Sequence, residues 1–137
     1  MAHEPFVEID HTADVALRVR GQDLPSLFLH AAQGLFHLLR CEPAGELESF
    51  EETISLSADD LETLLVDWLD ELLYLAERHK VCLERFEIES FDDTSLSASV
   101  RGSGPQYPQR DIKAVTYADL AIRQVDGGYE TMVTFDV

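Results

Sequence analysis

The widest apolar stripe of the sequence, between Leu61 and Leu75, constrains the fold more than any other feature. Its residues recur every three or four positions, as on one side of an α-helix, and the stripe is broad enough to make this helix the central one. A start at Ser57–Asp60 would place a hydroxyl at the N-cap and carboxylates at the positive end of the helix dipole. We therefore predict a central helix that runs to about Arg78. The stripe comprises Leu61, Leu64, Leu65, Trp68, Leu69, Leu72, Leu73 and Leu75.

Three acids of this predicted helix, Asp67, Asp70 and Glu71, fall opposite or beside the apolar stripe. Such a position is typical of a solvated helix face. We therefore interpret them as surface residues, with a catalytic or metal-binding role as the alternative.

Alternation of apolar and polar residues predicts strands on both sides of two helices. The first helix follows the N-cap Asp23, has Pro25 in its first turn and ends near Leu39. Clusters of proline, glycine and acidic residues separate the strands. The predicted strands span 6–10, 15–20, 53–57, 81–90, 95–101, 117–124 and 129–137, with loops at 41–49 and 102–108, a turn at 11–14 and a hairpin turn at 126–128.

The order of these elements predicts the α+β fold class. Strand runs flank and follow the two helices without a regular β–α–β alternation, which favours a mostly antiparallel sheet with two main amphipathic helices packed on it. A chain of 137 residues has the length of one domain, and no repeat or linker divides it. We therefore expect a single domain spanning residues 1–137.

Composition argues against a membrane protein and indicates a cytoplasmic one. No apolar run approaches the roughly 18 residues of a membrane helix, and Met1–Pro5 has neither the basic nor the apolar part of a secretory signal. The two cysteines, Cys41 and Cys82, lie far apart without a CxxC spacing. In such a chain they are expected to be reduced rather than bridged.

The charge balance argues against direct nucleic-acid binding. Ten basic side chains against 27 acidic ones give a formal net charge of −17 at pH 7. Nucleic-acid affinity comes largely from lysine and arginine on phosphates, and the sequence contains no concentrated basic patch. The acidic excess favours a basic protein surface or a divalent cation as partner, although it would equally serve solubility alone.

Three polar segments are candidates for chemistry: the turn Asp10–Asp14, the segment Asp111–Tyr117, and the last two residues, Asp136 and Val137. Alternation along the last strand turns Asp136 away from the face of Phe135. The Asp136 carboxylate and the main-chain carboxylate of Val137 would form a pair of oxygen ligands. A meeting with the Asp10–Asp14 turn would complete a site for a hard divalent cation. Chance adjacency is the alternative in a chain with 27 acids.

His11 and Lys113 each have a functional and a structural interpretation. His11 lies in a turn without a second histidine at ligand spacing, which favours a hydrogen-bonded turn residue over a zinc ligand. Lys113 lies in an apolar run, where its ammonium would reach a carboxylate or an anionic ligand, or extend to solvent. The sequence contains no nucleophile elbow, Cys–His pattern or phosphate-binding loop, so it gives little support to a self-sufficient enzyme.

Four segments of the sequence together match the pattern of one known family. They are Asp10–Val15 (DHTADV), Leu64–Tyr74 (LLVDWLDELLY), Ile112–Tyr117 (IKAVTY) and the closing pair Asp136–Val137. Each segment alone is a weak signal, but their order and spacing match over nearly the whole chain. On these residues the chain resembles the archease family.

The sequence departs from the family pattern at two places. Ala118 stands where the family often has a histidine after its KAVTY segment, and Gly102-Ser103 stands where it often has a Gly-Glu pair. No role is therefore carried over to Ala118.

The resemblance implies an activator protein rather than an enzyme. Archease-like proteins assist the RtcB-type RNA-splicing ligase by speeding the attachment of GMP to its active-site histidine and by allowing many turnovers. The implied partner is thus a protein, and no direct contact with nucleic acid or membrane is expected. The implied functional residues are Asp14, Lys113 and Asp136, with His11 and Thr116 as neighbours in the same motifs, and a divalent metal (Ca, Mg or Mn) is expected at Asp14, Asp136 and Val137.

Two alternatives from other functional classes stay open at this point. A metal-dependent phosphohydrolase or phosphotransferase that used the same carboxylates would turn over small phosphoesters without a partner. A chaperone-like interaction module would use the motif segments for packing only, and a metal titration would then show no site near Asp14 and Asp136.

Overall fold

The computed structural model describes residues 4–10 and 14–137, and of Asp10 it describes the main chain alone. His11 lies outside these residues. The elements in chain order are β1 (Phe6–Asp10), β2 (Asp14–Gly21), α1 (Leu24–Leu39), β3 (Cys41–Ser57), α2 (Leu61–His79), β4 (Cys82–Asp92), β5 (Ser95–Pro108), β6 (Ala114–Thr116), β7 (Arg123–Val125) and β8 (Gly128–Asp136).

The strands of the described residues form two antiparallel sheets. One sheet has the order β1–β2–β8–β6, with β7 also paired to β8, and the other has the order β3–β5–β4. The predicted α+β class with antiparallel pairing and two helices is confirmed. The division into two sheets was not foreseen, because alternation marks a strand without naming its partner.

Both helices pack their apolar faces into one core cluster, to which strands of both sheets also contribute. The side chain of Trp68 in α2 is fully buried, and its indole N–H donates a hydrogen bond of 3.0 Å to the main-chain oxygen of Phe28 in α1. Each helix contacts strands of both sheets. The central position predicted for the second helix is therefore shared with α1. Neither helix is long and apolar enough to cross a membrane.

Aspartates begin both helices. Asp23 caps α1 as predicted, because its carboxylate accepts a 2.8 Å hydrogen bond from the Ser26 N–H. The cap of α2 is Asp60, whose carboxylate accepts from the Thr63 N–H at 2.8 Å. Ser57, the first residue of the predicted cap segment, is instead the last residue of β3.

The segments 41–49 and 102–108 are strands rather than the predicted loops. They pair with each other, from Cys41 opposite Pro108 onward, with a β-bulge between Pro43 and Glu48. Proline and glycine are tolerated in strands at bulges and where another backbone approaches closely. The turn signals of these segments therefore mark irregular pairing.

The predicted strand at 117–124 is wrong for residues 117–122, which form the turn and connection between β6 and β7, whereas Arg123 and Gln124 do lie in β7. The Leu120 N–H donates to the Tyr117 oxygen at 3.1 Å, and Asp119 has a left-handed φ of 55°. The predicted hairpin at 126–128 is confirmed between β7 and β8, and Gly127 supplies its φ of 81°.

Candidate functional site

The motif residues at the two ends of the sequence meet at one end of the five-stranded sheet. Asp14, the first residue of β2, pairs with Asp136 of β8, which in turn pairs with Ala114 of β6. Directly opposite residues of an antiparallel pair have Cβ atoms about 4.5–5.5 Å apart and point to the same face. The predicted meeting of the early motif with Asp136 is therefore confirmed at Asp14.

The row of residues beside this pair anchors it to the core. Val15, Phe135 and Val115 lie opposite one another on the same three strands, and all three are buried. Since successive side chains of a strand point to opposite faces, Asp14 and Asp136 lie on the other face of the sheet. Their main chains are thus held in place by packing on the buried face.

The environment of the two carboxylates favours a cation. Asp14 is half-buried, and its Oδ1 is shielded from solvent without a hydrogen-bond partner among residues 4–10 and 14–137. Asp136 is exposed. A buried acceptor without a partner costs about 1–3 kcal/mol, and like charges directly opposite in a sheet destabilise it further. A cation between the two carboxylates would relieve both costs.

Two carboxylates fit the chemistry of a hard divalent cation, which prefers oxygen ligands. They do not complete its coordination, because such ions take six or more oxygens. Within the described part of the chain, no group of three or more His, Cys, Asp or Glu side chains could hold a metal ion. The remaining oxygens would come from water or from a bound partner.

Lys113 adjoins this pair through its main chain. Its N–H donates a 2.8 Å hydrogen bond to the main-chain oxygen of Asp136. Its side chain is exposed and borders a cavity of about 440 Å³ that Leu73, Lys80 and Tyr107 also line. No acid lies within ion-pair distance of the Lys113 ammonium among the described residues, which leaves the ammonium available for an anionic group.

The other predicted site residues occupy distinct positions. Thr116 ends β6 opposite Thr134, and its hydroxyl accepts a 3.3 Å hydrogen bond from the Ala118 N–H. Val137 follows β8 and is 42% exposed. The predicted metal-binding role of Val137 and the partner-activating roles of Thr116 and His11 stay predictions.

Glu62 is a residue that the sequence interpretation missed. Its carboxylate accepts a 2.9 Å hydrogen bond from the Ile122 N–H and holds the segment before β7 to α2. Asp70, on the same helix, is exposed, as its interpretation as a surface residue predicted. Desolvation raises the pKa of the Asp70 carboxyl, the nearby Val115 N–H offsets part of the rise, and the charge of Asp67 adds to it.

No signal in the local sequence marks Glu62 for this role. A hydrogen bond between α2 and the segment before β7 depends on tertiary packing that helical periodicity does not describe.

Comparison with known proteins agrees with the motifs. Residues 6–137 match the model of the Archease protein family (MTH1598/TM1083). Protein archease of Methanosarcina mazei is 33% identical over 139 residues, covering 94% of this chain and 93% of the relative. Protein archease-like of Drosophila melanogaster is 34% identical, covering 94% of this chain and 88% of the relative.

Two solved structures share the fold. The solution structure of protein 1598 of Methanobacterium thermoautotrophicum superimposes with a TM-score of 0.71 at 27% identity, covering 97% of this chain and 99% of that one. The crystal structure of an archease from Thermotoga maritima, described as a possible chaperone, gives a TM-score of 0.68 at 21% identity and covers 99% of this chain and 100% of that one. The second likeness concerns the fold alone.

Proposed function

The chain belongs to the archease family, and on that premise we propose that it activates an RtcB-type RNA-splicing ligase. In this role it promotes guanylylation of the ligase and multiple turnover, and it is not itself an enzyme. The observation that carries the proposal is the direct pairing of Asp14 with Asp136, beside the main chain of Lys113. The proposal places the protein in the cytoplasm, with a protein partner and no direct contact with RNA.

The two carboxylates have a defined task in this proposal. Asp14 and Asp136 would hold a divalent metal ion, which would supply positive charge against the phosphates of a nucleotidyl-transfer reaction. The β2–β8 pairing fixes both residues on one face of the sheet, so their oxygens are presented together. Packing of the buried residues Val15, Phe135 and Val115 holds the three strands that carry this site in place.

Lys113 has two tasks that its surroundings support. Its main-chain N–H holds the Asp136 backbone next to the start of β6. Its exposed ammonium extends from the same end of the sheet and is free to meet a phosphate oxygen as a point charge. Removal of the side chain would therefore take away the charge and leave the backbone hydrogen bond in place.

The charge of the whole chain supports a basic partner surface. A formal net charge of −17 steers the domain toward a positively charged cleft, such as one that binds RNA and nucleotide. The active site of an RNA ligase has that character because it must bind phosphates. An acidic domain that enters such a cleft would present Asp14, Asp136 and Lys113 near the reacting phosphates.

The decisive experiment follows ligase guanylylation over time. Purified protein is added to an RtcB-type ligase with GTP and a divalent metal, and wild type is compared with Asp14→Ala, Asp136→Ala and Lys113→Ala. We expect all three substitutions to abolish the stimulation. Asp93→Ala, at an exposed position between β4 and β5, is the matched control and should stimulate normally.

Two outcomes would overturn the proposal. One is a folded Asp136→Ala variant that accelerates guanylylation as well as wild type does, which would remove the carboxylate pair from the mechanism. The other is turnover of a small phosphoester by the protein alone, which would favour a metal-dependent hydrolase.

A further inference from the structure

Both lysines of the chain, Lys80 and Lys113, line the same cavity of about 440 Å³. They reach it from different elements, since Lys80 is the C-cap of α2 and Lys113 precedes β6. Among residues 4–10 and 14–137, neither ammonium forms an ion pair with an acid. In a chain with a formal net charge of −17, two unpaired lysines at one cavity are a local concentration of positive charge.

The ends of helices and strands hold the walls of this cavity in place. One wall is a face of α2 and its C-cap, whose lining residues recur at helical spacing: Leu73, Ala76, Glu77 and Lys80. The Gln106 N–H, next to Tyr107, donates a 2.8 Å hydrogen bond to the main-chain oxygen of Lys80 and joins the end of β5 to this wall. Lys113 is held by its own main-chain hydrogen bond to Asp136. The main-chain positions of both lysines are therefore fixed before a ligand binds.

The lining combines apolar side chains with one aromatic ring. Leu73, Val81 and Ile112 contribute apolar surface, and Tyr107 is 45% exposed. In the described part of the chain, Tyr107 packs against no other aromatic ring. Cavities of 300–1,000 Å³ with this kind of lining are typical of small-molecule sites. An exposed tyrosine ring is also a common stacking surface for a nucleobase.

The two ammonium groups indicate the charge of the ligand. A phosphate monoester carries about −1.5 to −2 charges at pH 7, so two lysines balance it, whereas a carboxylate would balance only one of them. Lysine binds phosphate as a point charge and needs no fixed orientation. The cavity therefore favours a ligand with one phosphate group and an apolar or planar body.

Two acids of the lining, Glu77 and Asp111, indicate what that body carries. Both are exposed, and neither has an ion-pair partner among the residues that the structure describes. An ionised carboxylate only accepts hydrogen bonds, so it repels phosphate and favours N–H donors elsewhere on the ligand. Guanine presents two such donors on one edge, its ring N1–H and its 2-amino group. The same edge of adenine presents an acceptor nitrogen and one amino group.

We propose that this cavity binds guanosine monophosphate. The phosphate lies between Lys80 and Lys113, the base lies against Tyr107, and the N–H edge of guanine donates to Glu77 or Asp111. The inference goes beyond the proposed activation of a ligase and does not depend on it, because the cavity and its charges belong to this chain alone.

The test is calorimetric titration of the full wild-type chain with GMP, without a ligase. The buffer contains EDTA, so that no metal ion at Asp14 and Asp136 can hold the phosphate. We expect one GMP per chain. Guanosine, inorganic phosphate and AMP should each bind at least about tenfold more weakly, because each lacks one recognised part of GMP and hydrogen bonds to charged groups contribute at least that factor.

Two single variants locate the site, each with a matched control. Lys80→Gln removes one ammonium and should weaken GMP binding at least about tenfold. Arg78→Gln makes the same change of charge on the same helix outside the cavity and should bind like wild type. Tyr107→Ala should weaken GMP binding at least about fivefold through loss of stacking. Tyr74→Ala removes another exposed tyrosine, outside the cavity, and should have no effect.

A double variant tests the preference for guanine. Glu77→Ala combined with Asp111→Ala removes both carboxylates from the lining. The affinities for GMP and AMP should then agree within about threefold, because the charged acceptors for the N–H edge of guanine are gone. Both side chains are exposed, so the fold should be retained.

Three results would overturn the inference. They are no saturable binding of GMP at millimolar concentration, equal affinities of wild type for GMP and AMP, and a Lys80→Gln variant that binds GMP as tightly as wild type. The comparison of ligands uses wild type alone and decides the question even where a variant does not fold. None of these outcomes bears on the ligase proposal, which is tested at Asp14 and Asp136.

Discussion

Asp14 and Asp136 face each other across two strands, which places like charges where oppositely charged or apolar pairs would stabilise the sheet. The loss of stability is larger still because the Oδ1 atom of Asp14 is buried without a hydrogen-bond partner in the described structure. A pair selected for stability alone would not have this composition. Residues that lower stability in this way are typical of functional sites, where binding of a ligand compensates for the cost.

The substitution Asp136→Asn tests this interpretation through stability alone. Removal of one of two facing charges should raise the free energy of unfolding by about 0.2–1 kcal/mol in metal-free buffer. Urea unfolding followed by circular dichroism measures the difference. The variant should be more stable than wild type while it fails to activate the ligase.

A divalent cation should make wild type more stable than Asp136→Asn. Mg²⁺, Mn²⁺ or Ca²⁺ that binds the folded protein raises the unfolding free energy of wild type, and loss of one ligand should remove most of that effect in Asp136→Asn. Asp93→Asn serves as the control and should respond like wild type. Equal stabilisation of Asp136→Asn and wild type by all three ions would contradict a site at this pair.

The hydrogen bond from the Ile122 N–H to the Glu62 carboxylate gives a second residue-scale prediction. Glu62→Ala should lose about 0.5–1.5 kcal/mol of stability, the usual net contribution of one hydrogen bond. It should also speed hydrogen exchange at the Ile122 amide, because the segment before β7 would be held less firmly to α2. Urea unfolding and exchange measured by NMR test these effects separately.

Glu71→Ala is the matched control for Glu62, since both glutamates lie on α2. It should leave exchange at Ile122 unchanged. Glu62→Gln keeps an acceptor without a charge, so it should retain more protection at that amide than Glu62→Ala. Equal protection of the Ile122 amide in wild type and Glu62→Ala would show that the hydrogen bond does not hold this segment to α2.

Among the elements, the two helices could be predicted closely and the long strands could not. A helix is stabilised by contacts three and four residues apart, so periodicity and the cap Asp23 are visible in the local sequence. β3 and β5 pair residues that lie 38 to 67 positions apart in the sequence, from Ser57 opposite Ser95 to Cys41 opposite Pro108. Pro43 and Gly104 signal turns locally, although in the fold they belong to this pairing.

The candidate site could be predicted only in part, because it too depends on contacts between segments that are distant in the sequence. Alternation on the last strand placed Asp136 and Phe135 on opposite faces, and the motifs named Asp14 and Lys113. The register that sets Asp14 beside Asp136 belongs to the β2–β8 pairing, and the hydrogen bond from Ile122 to Glu62 belongs to the packing of α2 against a distant segment. A local pattern marks a strand or a helix without naming the segment that it contacts.

The N-cap of α2 leads to a prediction about pH. Hydrogen bonds from Thr63 lower the pKa of Asp60 below its ordinary value of 3.8. A carboxyl whose pKa is lower in the folded state stabilises the fold above its ordinary pKa, and that contribution is lost as the pH falls through the folded value. The cap of α2 should therefore weaken below about pH 3.8.

Asp60→Asn isolates this effect, because asparagine caps a helix nearly as well as aspartate but does not titrate. Urea midpoints of wild type and variant are compared at about pH 6 and about pH 3, and wild type should lose more stability than the variant between them. Asp59→Asn, at the preceding position, is the control and should follow wild type. A constant difference between wild type and Asp60→Asn at both pH values would contradict the assignment.

At the scale of the whole molecule, the distribution of positive charge matters as much as the net value of −17. Among the residues that the structure describes, five of the ten basic side chains form ion pairs with acids of the same chain. Arg18 and Arg20 share Glu130, and Arg40 and Arg110 share Glu8. Each of these arginines would have to break its ion pair before it could bind a phosphate.

We therefore predict that the protein alone does not bind tRNA with submicromolar affinity at physiological salt. Affinity for nucleic acid grows with the number of phosphates that lysine and arginine neutralise, and this surface offers few unpaired cations among many acids. A mobility shift with labelled tRNA measures the affinity, and a mixture that also contains the ligase shows that the RNA is competent to bind. Glu130→Gln, which releases Arg18 and Arg20 from their shared acid, is the informative variant: it should bind RNA at most slightly better than wild type, because the remaining acids still repel the backbone. Submicromolar binding by wild type that weakens steeply with added salt would contradict this prediction. It would instead indicate a direct RNA-binding module with a basic site on an otherwise acidic surface.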